Sequence, residues 1–113
     1  MAHTISAVGK CEIAATMPLP QGGTVEVSGR IDRLVLGAGE IRFCDFKTGA
    51  APASLEAAAP GYIAQAALYA ATLALLYPDR PVRAFLIWTE GPQVRELSPA
   101  MLNEALAALA APP

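Results

Sequence analysis

Two aspartates and a lysine interrupt a part of the sequence that otherwise has the pattern of an ordinary β-hairpin. The stretch GRIDRLVLGAGEIRFCDFKTG, residues 29–49, contains two apolar segments separated by a Gly-Ala-Gly turn. Asp32 lies within the first segment, and Asp45 with Lys47 closes the second. A hairpin that only has to fold has little use for charges at these positions, so they indicate a chemical role.

The spacing predicts that the three charged side chains share one face. If Gly-Ala-Gly-Glu forms a four-residue loop, Leu36 pairs with Ile41, and the same register brings Asp32 opposite Asp45. The two-residue period of a strand then places Lys47 on that face. A three-residue turn with a bulge would instead shift the pairing by about one residue.

Such a cluster suits phosphodiester hydrolysis. Opposed side chains lie roughly 5 Å apart at Cβ, where two like charges are destabilising. A divalent cation removes that repulsion, because hard oxygen ligands hold Mg²⁺, which polarises a phosphate and lowers the pKa of a bound water. An ammonium beside it can stabilise negative charge on phosphorus. The alternative is an ordinary salt bridge at the end of a strand.

A second pair of polar side chains lies further along the chain. Gln65 and Tyr69 are four residues apart, so they share one face of a helix that is otherwise filled by Ala, Leu and Ile. A glutamine in so apolar a helix needs a hydrogen-bonding partner or a site to face. Alternatively, Gln65 is at the surface and Tyr69 packs in the core.

The periodicity predicts an α/β fold in the order β-β-β-α-β-β-α, with a mixed sheet flanked by helices. Strands are expected over residues 8–17, 24–36, 40–46, 82–89 and 93–97, and helices over residues 61–77 and 99–110. Gly29 is expected to mark a bulge or a close approach. The nearly continuous apolar run of residues 82–89 is typical of a strand covered on both faces.

Composition limits the class of protein. At 113 residues the chain fits one domain, and 54% apolar against 16% charged residues is a globular composition. The net charge of −2 gives no basic footprint for nucleic acid. Cys11 and Cys44 are most simply reduced thiols, too few for an iron–sulfur cluster or a structural zinc site by themselves. We expect no signal peptide and no membrane span.

Three motifs in order resemble the RecB/AddA group of nuclease domains in the PD-(D/E)xK superfamily. They are Gly29-x-Ile31-Asp32-Arg33, Asp45-Phe46-Lys47-Thr48-Gly49 and Gln65-x-x-x-Tyr69. That group carries G-x-x-D-R, D-[YF]-K-T and Q-x-x-x-Y in this order. The resemblance extends over roughly residues 11–90 and implies a restriction-endonuclease-like core.

The resemblance also implies roles for individual residues. Asp32 and Asp45 would bind the metal, with the backbone carbonyl of Phe46 as a further ligand, and Lys47 would be the catalytic lysine. Gln65 and Tyr69 would orient the site or contact the nucleic-acid backbone. Glu12 stands where AddA-like chains often carry a glutamate, although a plain surface glutamate is the alternative.

By the same resemblance, the cofactor would be Mg²⁺, with Mn²⁺ or Ca²⁺ able to substitute in binding, and no iron–sulfur cluster. The chain would be a single nuclease domain, residues 1–113, of a cytoplasmic, nucleoid-associated exonuclease V type enzyme for double-strand break repair and recombination. DNA, the helicase portion of a parent chain and a second nuclease-helicase subunit would be its partners, and no membrane is expected.

Two departures from the family pattern leave an alternative open. Relatives carry an upstream metal ligand, often a histidine, and the one histidine here, His3, is not assigned to that role. No G-x-x-x-x-G-K-[ST] motif of a helicase motor is present, so we expect the chain to be a fragment of a larger helicase–nuclease. The missing upstream ligand and the mildly acidic net charge favour the alternative to a nuclease, a non-catalytic module of the same fold that binds DNA or a partner.

Overall fold

The computed structural model describes residues 8–19, 22–55, 58 and 60–110. Their order is β-β-β-α-β-β-α, and the predicted α/β class is confirmed. The strands are β1 (Val8–Pro18), β2 (Thr24–Leu36), β3 (Ile41–Ala50), β4 (Val82–Glu90) and β5 (Gln93–Leu97), and the helices are α1 (Pro60–Leu76) and α2 (Pro99–Ala110).

The five strands form one mixed sheet in the order β1-β2-β3-β4-β5. β3 and β4 are parallel, whereas the other neighbours are antiparallel. Parallel strands cannot be joined by a tight hairpin, so the chain between them crosses over the sheet as α1. Neither of the two described helices is long and apolar enough to cross a membrane.

The core lies between one face of the sheet and α1. Along β4, Ala84, Leu86 and Trp88 are buried, while the alternate residues Phe85 and Ile87 are only half-buried. The buried set of β4 belongs to the same apolar cluster as the buried residues of both helices. The prediction that β4 is covered on both faces is therefore wrong for the described residues, whose helices cover one face.

Small residues bring α1 close to the sheet. Ala66, Ala67 and Ala70 are buried on this helix, and alanine side chains allow a short distance between helix and strands. Thr72 is fully buried among them and donates its hydroxyl to the Leu68 carbonyl at 2.8 Å, so no polar atom is left unpaired there.

The β2–β3 hairpin has the predicted register from the turn to Arg33 and Cys44, where the ladder ends, so the expected Asp32–Asp45 pair is not part of it. Leu36 pairs with Ile41, and Leu34 pairs with Phe43. The amide of Gly37 closes the turn by donating to the Glu40 carbonyl at 3.0 Å. Alternation of apolar residues and the glycine-rich turn were sufficient to place these strands correctly.

β2 contains a bulge that the sequence did not reveal. Cys11 pairs with Ile31 and Gly9 pairs with Leu34, so two steps along β1 match three steps along β2. The extra residue falls at Asp32 and Arg33. A bulge locally redirects the strand and its side chains, and bulges are common beside active sites.

β3 is longer than predicted. It extends to Ala50 because its parallel ladder with β4 continues, with Lys47 opposite Trp88. Lys47 therefore lies on a strand rather than in the loop that follows it, and its backbone position is fixed by the sheet.

Gly29 marks a close approach, the second of the two expected possibilities. A Cβ atom built on Gly29 would lie 2.1 Å from the Tyr69 hydroxyl oxygen and 3.1 Å from the ring carbon that bears it. Contacts under about 3 Å are not tolerated, so only glycine lets the tyrosine of α1 reach β2 here.

We predict that Gly29→Ala destabilises the fold by about 1–3 kcal/mol, the usual range for overpacking. Because the Tyr69 hydroxyl oxygen is the atom nearest to the added Cβ, combining Gly29→Ala with Tyr69→Phe should recover part of this loss. Chemical denaturation of the single and double variants measures the coupling. Gly39→Ala is the control, since a Cβ there meets nothing within 4 Å; costs that simply add in the double variant contradict the contact.

Candidate active site

The site lies where the ladder between β2 and β3 opens. The pairing of these strands ends at Arg33 and Cys44, while β3 goes on pairing with β4. The amide of Phe46, two residues further along β3, donates to Asp32 Oδ2 at 2.9 Å. A side-chain carboxylate therefore takes the place of the missing backbone acceptor.

Asp45 and Lys47 lie on the face of β3 that also carries the buried Phe43. The Lys47 ammonium donates to Asp45 Oδ2 at 2.7 Å. The side chain of Lys47 is only 12% exposed and that of Asp45 only 20%. Water therefore screens this ion pair less than it screens an exposed pair, and both groups are held at the edge of the core.

The two carboxylates lie close enough to share a hydrogen bond. That bond from Asp45 is the main reason why the pKa of Asp32 lies below its ordinary value, and the Phe46 amide lowers it further. Burial raises the pKa of Asp45, and the hydrogen bond to Asp32 raises it again. Asp32 is thus the carboxylate that ionises first as the pH rises.

Tyr62 completes the surroundings of the lysine. The Lys47 Nζ lies 3.8 Å from the centroid of the Tyr62 ring, a cation–π contact. This residue was not predicted from the sequence. The available signal was its spacing, because Tyr62, Gln65 and Tyr69 follow one another by three and four residues and so share one face of α1.

Tyr69 is buried and forms the floor of the site. Its ring meets Phe43 edge to face with centroids 6.3 Å apart. Burial raises the pKa of its hydroxyl, the negative charge of Asp45 raises it further, and a hydrogen bond from the backbone of Arg30 opposes both. Core packing, one of the two predicted alternatives for Tyr69, is confirmed, whereas its role as a site residue stays a prediction.

The remaining predicted residues lie at the surface. Gln65 is exposed, one helical turn before Tyr69. Glu12 is exposed on β1, opposite Arg30. Among the described residues, no group of three Asp, Glu, His or Cys side chains converges as a metal site would require. His3 lies outside the described residues.

The donor set at Asp32 and Asp45 nevertheless fits a hard divalent cation. The negative charges of the two neighbouring carboxylates repel each other, Lys47 offsets part of that repulsion, and a cation between them would offset it further. Oxygen donors are the ligands that Mg²⁺ and Ca²⁺ prefer.

The raised pKa of Asp45 gives a prediction for the metal-free protein. Because the folded state raises the pKa of Asp45 above 3.8, protonated Asp45 stabilises the fold at low pH, and this contribution is lost as the pH rises through the raised pKa. The free energy of unfolding of the wild type should therefore fall relative to Asp45→Asn as the pH rises above about 4. Urea titrations in EDTA measure both free energies, and a difference that stays constant with pH would contradict a raised pKa of Asp45.

Comparison with known proteins identifies the family. A search of the curated proteins found no match. Among solved structures, the chain is similar to a crystal structure of SSO0001, with 15% identity and a TM-score of 0.47 over 86% of this chain and 46% of that one. The chain thus spans less than half the length of the solved structure it matches. The family model of the PD-(D/E)XK nuclease superfamily matches residues 2–111, and the chain therefore belongs to this superfamily.

Proposed function

We propose that this chain is the Mg²⁺-dependent deoxyribonuclease domain of an AddA/RecB-type enzyme. The observation that carries the proposal is the convergence of Asp32, Asp45 and Lys47 at the opening between β2 and β3. Membership of a nuclease superfamily supports phosphodiester hydrolysis as the chemistry. The order of the three sequence motifs supports the narrower AddA/RecB assignment.

In this proposal, Asp32 and Asp45 would hold the cation, with the backbone carbonyl of Phe46 as a further ligand. The cation, when bound, would polarise the phosphate and lower the pKa of a water molecule. Mn²⁺ and Ca²⁺ would substitute for Mg²⁺ in binding, because they take the same oxygen donors.

Lys47 would act on the reacting phosphate. Its ammonium is held at 2.7 Å from Asp45 and has little contact with bulk water. A positive charge that is already in place when negative charge develops on phosphorus stabilises the transition state without reorganisation. The same N–H groups can orient a water molecule for attack.

Gln65 and Tyr69 would serve the substrate and the site, respectively. Gln65 is exposed on the site face of α1, and its amide offers a donor and an acceptor to a nucleic-acid backbone. Tyr69 is buried and its hydroxyl approaches β2 at Gly29, so it would fix the strand that carries Asp32.

The wider assignment follows from the AddA/RecB motifs. The chain would be one nuclease domain of a longer helicase–nuclease that acts on DNA ends in double-strand break repair and recombination. Its partners would be DNA, the helicase portion of that chain and a second nuclease-helicase subunit, in the cytoplasm at the nucleoid.

A second candidate function is a non-catalytic module that binds DNA or a partner. Two observations favour it. The described residues bring only two carboxylates together, and Glu12 lies apart at the surface. The net charge is −2, so long-range attraction to DNA is absent.

Cleavage of linear duplex and single-stranded DNA in Mg²⁺ separates the two candidates. We expect the wild type to cut and Lys47→Ala to lose about 10²–10³-fold in rate, as when a preorganised electrostatic group is removed. Lys10→Ala is the matched control, since Lys10 is the other lysine and is exposed on β1. Equal cutting by the wild type and Lys47→Ala would contradict the role of Lys47 in cleavage, whereas no cutting by either would contradict a nuclease and favour the module.

Metal binding can be measured without activity. Ca²⁺ at about 100 times its dissociation constant should stabilise the wild type by about 2.7 kcal/mol, because it binds the folded chain. Asp32→Asn and Asp45→Asn should lose this shift in a thermal melt, whereas Asp79→Asn, which removes an exposed carboxylate, should retain it. A full shift in either site variant would place the cation elsewhere.

A further inference from the structure

We propose that Tyr62 is a positioning residue that holds the Lys47 ammonium at the site. The inference rests on the proposed nuclease function for its consequence, and on the cation–π contact for its geometry. The Lys47 Nζ lies 3.8 Å from the ring centroid of Tyr62 while it donates to Asp45.

The ring is well placed to restrain a flexible side chain. A lysine stem has four rotatable bonds and loses its position unless several contacts hold its end. Lys47 is fixed at its backbone by β3 and is only 12% exposed at its side chain, although Tyr62 itself is 37% exposed. The ring therefore covers the ammonium on the side that would otherwise meet solvent.

The position of Tyr62 follows from the fold. α1 begins at Pro60, where a proline at the first helical position is favourable, so Tyr62 falls in the first turn. The helix must start near the carboxyl end of β3 because it is the crossover to β4. The same helix face continues through Gln65 to Tyr69.

A second contact for the ammonium is needed because Asp45 is shared. The carboxylate that accepts from Lys47 also lies beside the carboxylate of Asp32, and it is a proposed metal ligand. When Asp45 engages another partner, its hold on the lysine weakens. The aromatic face carries no competing ligand, so Tyr62 keeps the ammonium beside the site.

Lysine-selective NMR tests this contact directly. The chain has two lysines, so protein labelled with ¹³C at lysine Cε gives two signals. We expect the Lys47 methylene protons to be shifted upfield by the Tyr62 ring, while Lys10 stays at the ordinary position. Tyr62→Leu should abolish the shift and Tyr62→Phe should keep it, because the ring and not the hydroxyl makes the contact.

The control variant is Tyr77→Leu. Tyr77 follows the other end of α1 and makes its own cation–π contact with Arg80 at 5.2 Å, so its removal reports the general cost of losing such a ring. It should leave the Lys47 signal in place. A Lys47 signal that is unshifted in the wild type, or unchanged in Tyr62→Leu, overturns the proposal.

The functional consequence is measured by steady-state cleavage. Tyr62→Leu should lower kcat by about 2- to 30-fold with little change in KM, and Tyr62→Phe and Tyr77→Leu should behave as the wild type. A displaced lysine signal with an unchanged kcat overturns the positioning role. A wild type that cuts no DNA refutes the nuclease function, and the NMR signals still decide whether Tyr62 holds the lysine.

Discussion

The interaction on which the site depends is the hydrogen bond from the Phe46 amide to Asp32. The β2–β3 ladder ends at Arg33 and Cys44, and the next β3 amide that would face β2 would otherwise lack a protein acceptor. An ionised carboxylate accepts such a bond well, and the bond in turn favours the ionised form of Asp32. The bulge in β2 falls at this residue, so the local geometry and the charge have a common origin. Opening the ladder therefore creates both the space and the first charge of the site.

Placing Asp32 there has a consequence for Asp45. Its carboxyl is partly buried beside an anion, and both effects raise its pKa. Lys47 offsets part of that cost at 2.7 Å, and the Tyr62 ring covers the lysine in turn. Each of these groups is therefore held by a neighbour: the Phe46 amide binds Asp32, Asp45 accepts from Lys47, and Lys47 lies against the Tyr62 ring. The parallel pairing of β3 and β4 forces α1 across the sheet, and so brings that aromatic within reach.

Most of the framework followed from the sequence, because hydrophobic alternation and turn residues are local signals. The hairpin register, the helix bounds to within one residue and the α/β order were all predicted from them. The bulge at Asp32 was not, since one extra residue in a strand leaves no mark on composition. Tyr62 was missed because an aromatic on an apolar helix is usually core, and its spacing to Gln65 and Tyr69 indicates a shared helix face but not the contact with Lys47. The prediction that β4 is covered on both faces was wrong, because an apolar run does not show which elements pack against each face.

The energetics of the site argue for a function rather than against one. The apolar residues Leu34, Leu36, Ile41 and Phe43 already stabilise the hairpin. Two neutral residues in place of the aspartates would permit the same end of the ladder without the repulsion between two carboxylates. A carboxylate whose pKa is raised in the folded state lowers the free energy of unfolding at any pH where it must be charged. Local choices that oppose folding are expected where a ligand or a reaction requires them. A purely structural salt bridge needs one acid and one base. The second acid is therefore the part of this arrangement that folding leaves unexplained and that a bound cation would explain.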